Sequence, residues 1–255
     1  MPKKPKSGTR EKVASTVAPL AENLILELAS RGSGRRPIEM RHVARLRKAA
    51  LSCSKTACLS ACDRIASQGI GFDDIADLYV PAVARTLGDD WVDDRISFAS
   101  TSVGAAMLQW LLGALEQAHL HSDIAVDGPG VLLMVPAGEH HTLGAVLLGQ
   151  QLRRRGFWVR PMLQARAESL QPTLQRRLNA TMISASPATG MQDLRRLVTA
   201  ARKATAEASP VLIGGTIADL EPRLADRSGA DHVATDVQDA LRFCQFEDRS
   251  GVSLV

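Results

Sequence analysis

The sequence predicts an α + α/β protein, in which a four-helix bundle precedes a five-stranded, parallel, doubly wound domain. From about residue 37 to 120 the apolar residues recur at helical spacing without strand-like alternation. From residue 131 onward, short apolar runs alternate with amphipathic stretches, which is typical of strands that alternate with helices. Residues 121–130 end in Asp-Gly-Pro-Gly, and this composition indicates a linker between the domains 37–120 and 131–255.

Residues 1–36 precede the first predicted domain and are rich in lysine and arginine. One amphipathic stretch, 13–28, interrupts the basic residues, and Gly-Ser-Gly at 32–34 is typical of a flexible chain. We interpret residues 1–36 as a flexible basic tail. The alternative is a segment that docks on a partner or on an acidic surface.

Composition limits the class of protein. The chain has 255 residues, 45% of them hydrophobic, a net charge of +4 and a pI of about 9.1. Without a recognisable DNA-reading motif, this mild basicity predicts at most weak or indirect binding to nucleic acid. Four cysteines do not form a disulfide framework, which favours a reducing cytoplasm. We find neither the roughly 18 apolar residues of a membrane span nor a signal peptide, so we expect a cytoplasmic protein without a membrane partner.

Four helices with short connections are predicted in the first domain, and such connections favour an antiparallel bundle. The first helix begins near Pro37 and the second covers about 55–67. The third is expected at 75–87, closed by Gly88, and the fourth at about 93–119.

The second domain is predicted to be Rossmann-like, with helices on both faces of a parallel sheet. The candidate strands are 131–135, 157–160, 180–184, 210–213 and 231–234. The candidate helices are 144–155, 168–178, 190–206, 217–226 and 236–243.

Three of the loops that follow predicted strands carry residues suited to binding a ligand. Gly138-Glu-His-His-Thr-Leu-Gly144 follows the first strand, Ser184-Ala-Ser186 follows the third, and Gly214-Gly-Thr216 follows the fourth. The carboxyl ends of parallel strands meet at one edge of the sheet, where open α/β sheets bind ligands. We therefore expect these three loops to lie together.

The order of these loops resembles the signature of cobalamin-binding domains, which is Asp-x-His-x-x-Gly, then Ser-x-Leu or Ser-x-Thr, then Gly-Gly. The resemblance implies a bound adenosyl-, methyl- or hydroxocobalamin, with His141 as the lower axial ligand of cobalt in place of the cofactor's own base. His140 is an additional imidazole beside it and is the alternative ligand. The side chain of Glu139 is expected to accept a hydrogen bond from the other ring nitrogen of His141.

The same resemblance implies roles for the other residues of the three loops. Gly144 would let the backbone approach the corrin, Ser184 and Ser186 would bond the detached base, and Gly214 and Gly215 would leave room for the nucleotide tail. The chain departs from the signature where Glu139 replaces Asp and Ser186 replaces Leu or Thr. The remaining predicted cofactor contacts are Gly138, Thr142, Leu143 and Thr216.

A second resemblance lies in the bundle. Residues 87–100 are similar to the helical cap of cobalamin-dependent photoreceptor regulators, in which a Trp covers the upper face of the corrin; Trp91 matches it. Light-dependent repressors of that class carry a Glu-His pair where this chain has Thr101 and Ser102. This difference favours a smaller upper ligand, such as water or hydroxide.

Those repressors begin with a winged-helix DNA-binding domain, for which the residues before 37 leave no room. The arrangement resembles the AerR/PpaA antirepressors of photosynthetic proteobacteria. It implies a light-responsive transcriptional regulator of photosystem and tetrapyrrole genes that acts through a DNA-binding repressor and is not an enzyme. The alternative is a corrinoid methyl carrier of a methyltransferase system.

Overall fold

The structure is a computed structural model that describes residues 38–119, 128–170, 178–205 and 209–246. It divides between His119 and Leu120 into two compact units, each described by itself below. The predicted tail 1–36 and most of the predicted linker lie outside the described residues.

The described part of the first unit is helical. It contains α1 (Met40–Leu51), α2 (Lys55–Ala66), the three-part helix α3 and α4 (Phe98–His119). Helix α3 runs without interruption through Phe72–Asp74, a π-helical turn at Ile75–Tyr79, and Val80–Val92. Helix α4 packs against the other three. The core between them contains the fully buried side chains of Leu46, Ile65, Ile75, Leu87, Leu108, Leu111 and Leu112.

Two predicted boundaries in this unit are wrong. Helix α3 continues through Gly88 to Val92, because a single glycine costs a helix only about 1 kcal/mol and packing compensates for it. The helix ends where Asp94 adopts a left-handed conformation with a φ of 56°. The backbone N–H groups of Arg95 and Ile96 then turn back to the carbonyl of Asp90, at 2.7 and 3.2 Å. Helix α4 therefore begins at Phe98 and not near residue 93.

The hydropathy of helix α4 does not agree with the expectation that no stretch is apolar enough for a membrane span. Residues Phe98–Ala118 have a mean hydropathy of 1.3 over the most apolar window, and 33% of that window is buried within the described residues. By length and composition alone this helix could cross a membrane. Since core helices of bundles share these properties, and α4 packs in one, the observation is weak support for a span.

The described part of the second unit is a five-stranded parallel sheet flanked by helices, which confirms the predicted fold class. The strand order is β2-β1-β3-β4-β5. In chain order the elements are β1 (Gly130–Pro136), α5 (Leu143–Arg154), β2 (Trp158–Ala165), β3 (Leu178–Ser184), α6 (Met191–Ala204), β4 (Val211–Gly214), α7 (Leu224–Ser228), β5 (His232–Val233) and α8 (Val237–Phe243).

Strand β1 lies inside the sheet and is buried along its whole length, as expected for an apolar run covered on both faces. Its side chains alternate between the two faces. Leu132 and Met134 belong to one core cluster with α6 and α7, whereas Val131 and Leu133 belong to the other with α5 and α8.

One of the predicted helices in this unit is wrong, and another lies mostly outside the described residues. The predicted helix 168–178 includes residues 171–177, which are not described; at its described ends, Ala167–Ser169 form a 3-10 turn and Leu178 already belongs to β3. In place of a helix at 217–226 the chain makes turns until α7 begins at Leu224. Pro222 accounts for this delay, because a proline disfavours the helical conformation of the residue before it and lacks an N–H group.

Candidate functional site

The candidate site lies at the carboxyl edge of the sheet between β1 and β3, where the strand order reverses. In the observed order, chain connections leave β1 in one direction and β3 in the other, which opens a crevice between the loops that follow these strands. The two loops meet there through the side chain of Glu139, which is 3% exposed. The structure therefore brings the first two of the three predicted loops together at the position where doubly wound sheets bind ligands.

Glu139 joins the loops with both of its carboxylate oxygens. Oε2 accepts hydrogen bonds from the backbone N–H of Ser186 at 2.9 Å and from the hydroxyl of Thr189 at 3.3 Å. Oε1 accepts the backbone N–H of His141 at 2.8 Å. The expected bond from Glu139 to the imidazole of His141 is not the one that forms. The side chain of Glu, one methylene longer than that of Asp, instead reaches the backbone of both loops.

The environment of Glu139 favours its ionised form. Burial acts to raise the pKa of Glu139, but hydrogen bonds from Ser186, the backbone N–H of His141 and the proximity of the His141 ring outweigh burial and lower the pKa below its usual value. A buried carboxylate that accepts several hydrogen bonds is stable as an anion. The connection between the loops is therefore intact at neutral pH.

Replacing Glu139 with glutamine should destabilise the second unit by about 1–3 kcal/mol at neutral pH, because an amide N–H would face groups that donate hydrogen bonds. The wild-type contribution is fully present above the ordinary pKa of 4.5 and is lost as the pH falls through the lowered pKa. Urea unfolding between about pH 7 and pH 3 should show the two proteins converging in acid. The matched control is Glu168→Gln at an exposed glutamate. A difference that stays constant with pH would contradict this role of Glu139.

The two histidines of the first loop are both exposed. The backbone distinguishes them, because the N–H of His141 is fixed by Glu139, whereas the carbonyl of His140 accepts the N–H of Thr142 at 3.1 Å. Helix α5 begins immediately afterwards at Leu143. Thr142 and Leu143 are both half-buried at this junction.

Two glycines of the first loop have different reasons to be glycine. Gly138 has a φ of 83°, a left-handed conformation that side chains rarely adopt. Gly144 lies in the first turn of α5, and a Cβ built there would meet no protein atom within 4 Å. The protein itself therefore does not require glycine at 144, and the open space beside it is available to a ligand.

The serines that follow β3 are placed differently from each other. Ser184 is the last residue of β3 and is half-buried, whereas Ser186 is buried at 5% exposure. The backbone N–H of Ser186 donates to Glu139, and its hydroxyl oxygen accepts the N–H of Ala188 at 3.3 Å. Ser186 thus connects the two loops, and its predicted bond to a cofactor base stays a prediction.

The glycine pair after β4 is explained by the protein backbone. A Cβ on Gly215, whose φ is 92°, would collide with the carbonyl oxygen of Ala185, and one on Gly214 would lie 3.0 Å from the carbonyl oxygen of Ala234. The N–H of Ala185 donates to the carbonyl of Gly214 at 3.0 Å. Gly215 therefore lets the loops after β3 and β4 approach closely, and Gly214 lets the end of β4 approach the chain that follows β5. The room that these glycines would leave for a nucleotide tail stays a prediction. Thr216 lies in the following turn.

In the first unit, Trp91 lies near the end of α3 and is half-buried. Its indole packs edge-on against Phe98, with ring centroids 5.8 Å apart, and Phe98 is 68% exposed. The predicted contact residue Trp91 is therefore part of an aromatic pair at the turn between α3 and α4. Thr101 and Ser102 lie in the first turns of α4, where their hydroxyls donate to the carbonyls of residues 97 and 98.

A buried carboxylate next to Trp91 holds this turn. Asp90 is 5% exposed and accepts hydrogen bonds from Arg47 and Arg95, both at 2.6 Å. Burial acts to raise the pKa of Asp90, but the bonds and charges of the two arginines outweigh it and lower the pKa. The sequence alone indicates that Asp90 is buried, because it follows Val83 and Leu87 at the spacing of one helical face.

Sequence reasoning also missed Gln164 and Thr189, which contact the loop of His141 from β2 and from the loop after β3. Neither belongs to a recognisable motif. Both are identified only by the pairing of the strands that bring them to the site.

Comparison with known proteins agrees with this geometry. The family described as B12 binding domain matches residues 129–242. The uncharacterized 20.5 kDa protein in the bchF-crtJ intergenic region of Rhodobacter capsulatus is 32% identical over 177 residues, which are 69% of this chain and 92% of that protein.

One solved structure shares the fold of this chain. The monomethylamine corrinoid protein of Methanosarcina barkeri superposes with a TM-score of 0.61 at 15% identity, over 81% of this chain and 98% of that one. A novel cobalamin-binding protein from Desulfitobacterium hafniense DCB-2 is 17% identical over 81% of this chain and 98% of that one. Its TM-score of 0.39 adds nothing to the fold assignment.

Proposed function

We propose that this chain is a transcriptional regulator and not an enzyme. The chain belongs to the same family as the 20.5 kDa protein of Rhodobacter capsulatus, and it binds cobalamin through a B12 binding domain. The observation that carries the proposal is the position of the relative's gene between bchF and crtJ, a photosynthesis gene region. The regulator is of the AerR/PpaA antirepressor kind, responds to light, acts in the cytoplasm, and works on photosystem and tetrapyrrole genes through a DNA-binding repressor.

The residues at the β1–β3 crevice fit cobalamin. The loop after β1 presents two exposed imidazoles, and imidazole is a ligand suited to late transition metals. Gly144 is exposed in the first turn of α5, and a Cβ built there would have no neighbour within 4 Å among the described residues beyond its own turn, so the backbone at this position would be open to a ligand. When bound, cobalamin supplies a cobalt centre whose upper ligand can be exchanged or released by light.

In this proposal His141 would supply the protein's ligand to cobalt, with His140 as the alternative. Glu139 fixes the backbone of His141 and ties it to Ser186, so that the ligand is held by two loops and not by one. Gly138, Thr142, Leu143 and Gly144 shape the loop around the ligand. Ser184, Gly214, Gly215 and Thr216 form the adjoining edge of the sheet.

Trp91 is the proposed contact on the upper side of the corrin. A change of upper ligand can shift the protein between two states only if the two states contact the ligand differently. Trp91 is suited to such a contact because the residue is half-buried, its ring packs against the ring of Phe98, and it lies next to the turn at Asp90. The changed contact would alter a surface that the repressor binds.

The regulatory proposal is tested by deleting the gene in its host and measuring photosystem transcripts in light and in darkness. We expect transcript levels to change several-fold, and we expect the wild-type gene to restore them whereas a gene encoding His141→Ala or Trp91→Ala does not. Unchanged transcripts in the deletion strain, with cobalamin available, would contradict a regulatory role.

A methyl carrier is the second candidate, and the fold shared with the monomethylamine corrinoid protein favours it. The two candidates differ in their chemistry. A methyl carrier, once reduced, accepts a methyl group from a methylated donor and passes it to an acceptor, whereas a regulator does not turn over. Catalytic methyl transfer by the purified, cobalamin-loaded protein with a reductant, a methylated amine and an acceptor thiol would favour the carrier.

A further inference from the structure

Strand β2 contains a bulge next to the loop of the histidines. Met134 of β1 pairs with Met162 of β2, and Pro136 pairs with Ala165, so two steps along β1 correspond to three along β2. The extra residue lies at 163–164, and regular pairing resumes where the N–H of Ala137 donates to the carbonyl of Ala165 at 3.0 Å. Bulges occur frequently beside functional sites, where they redirect a side chain.

The redirected side chain is that of Gln164, whose φ is 56°. Its Oε1 accepts the backbone N–H of Gly138 at 3.0 Å, and its Nε2 donates to the carbonyl of Glu139 at 3.1 Å. One side-chain amide thus bridges two consecutive residues of the turn that precedes the histidines. Gly138 has a φ of 83°, so both ends of this connection have left-handed backbone.

A left-handed conformation is unfavourable for glutamine and persists only where the surroundings enforce it. Glycine would adopt this backbone without strain but could not form the two side-chain bonds. The side chain of Gln164 is exposed, so burial in a core does not explain its position. Its observed contacts are with the loop that carries the candidate cobalt ligand.

We propose that Gln164 is a positioning residue for the cobalamin site. By holding Gly138 and the carbonyl of Glu139, it sets the direction of the Glu139 side chain, which in turn fixes the N–H of His141 and that of Ser186. This inference rests on the proposed role of His141 as the lower ligand. Gln164 acts through the loop and does not itself touch the cofactor in this proposal.

The test compares Gln164→Gly, Gln164→Ala and wild type after loading the full chain with hydroxocobalamin. Gln164→Gly relieves the left-handed backbone while removing both amide contacts, so it separates positioning from strand stability. We expect Gln164→Gly to unfold at the wild-type urea concentration or above it. We expect both variants to release cobalamin about 10-fold faster than wild type and to show less of the absorbance spectrum of histidine-ligated cobalamin. Leu163→Gly, at the exposed neighbour in the same bulge, is the matched control and should behave as wild type.

Two further variants make the outcome unambiguous. Gln164→Glu keeps an acceptor for Gly138 but has no donor for the carbonyl of Glu139 when ionised, so its release rate should lie between those of wild type and Gln164→Ala. His141→Ala should lose the histidine-ligated spectrum. If His141→Ala loses that spectrum while Gln164→Gly keeps the wild-type spectrum and release rate, the inference on Gln164 is overturned and the ligand stands. If His141→Ala leaves the spectrum unchanged, both are overturned.

Discussion

Replacing His141 with alanine is expected to raise the dissociation constant for cobalamin by about 100-fold. This is a loss of roughly 2.8 kcal/mol in binding free energy, at about 1.4 kcal/mol per factor of ten. The reason is the direct loss of the metal–nitrogen bond, whereas Glu139, Ser186 and Thr189 would still hold the loop. The dissociation constant for hydroxocobalamin, measured by equilibrium dialysis on the full chain, gives this difference.

The matched control for that variant is His140→Ala. Both imidazoles are exposed, so neither substitution should change the free energy of unfolding by more than about 0.5 kcal/mol. Only His141 has its backbone N–H fixed by Glu139. We expect His140→Ala to bind cobalamin like wild type. Loss of binding in His140→Ala with normal binding in His141→Ala would assign the ligand to His140.

Replacing Asp90 with alanine is expected to destabilise the first unit by about 2–3 kcal/mol. Asp90 is buried, and its carboxylate accepts hydrogen bonds from Arg47 and Arg95 that alanine cannot accept. The two arginines are 28% and 55% exposed in their side chains, so water can solvate them after the substitution and limits the loss. Loss of the carboxylate also removes the bond that holds Arg95 beside the turn of Trp91.

Asp93→Ala provides the comparison for Asp90→Ala. Asp93 also pairs with Arg95, but its side chain is 54% exposed, and exposed ion pairs contribute about 0.2–1 kcal/mol. Urea unfolding followed by circular dichroism should place the transition of Asp90→Ala well below that of Asp93→Ala. Equal midpoints for the two variants would show that burial of Asp90 adds nothing to its ion pairs.

The pH dependence of the Asp90 contribution has a definite sign. Because the pKa of Asp90 is lowered, its stabilisation is complete above the ordinary value of 3.8 and is lost as the pH falls through the lowered value. Wild type and Asp90→Ala should therefore approach each other in stability only in strong acid.

The fold of the second unit was predictable because its strands are continuous apolar runs that are followed by glycine-rich or polar loops. Residues 131–135 form one such run, and β1 is buried on both faces as that pattern requires. The lengths of the strands were predicted less well than their positions. Strand β2 was expected at 157–160 but extends to Ala165, because its outer half is exposed and carries no apolar run that marks it as a strand.

The sequence predicted which loops would lie together at the candidate site. It did not predict which atoms of those loops would contact each other. Three loops after parallel strands must share an edge, and the structure joins Glu139 to Ser186 at that edge. The target of the Glu139 carboxylate depends on one methylene and on backbone geometry, and the signature alone does not contain that information. The same limit applies to Gly214 and Gly215, whose backbone neighbours become visible only once β4 is paired with β5 and with β3.

Gln164 illustrates the part that sequence reasoning could not reach. A bulge is a property of the register between two strands, and the register of β1 with β2 follows from tertiary packing. A glutamine at an exposed strand end has no distinguishing feature in the sequence. Asp90 is different, since a carboxylate at a buried helical position is detectable before the structure is known.

The most direct test of the central claim, that His141 ligates the cobalt, is electron paramagnetic resonance of the reduced, cobalamin-loaded protein labelled with nitrogen-15 on histidine. A histidine ligand predicts that the ligand splitting changes from the triplet pattern of natural nitrogen to a doublet pattern, and that His141→Ala loses this change. An unaltered triplet pattern in the labelled wild type would mean that cobalamin keeps its own base, and this result would contradict the account.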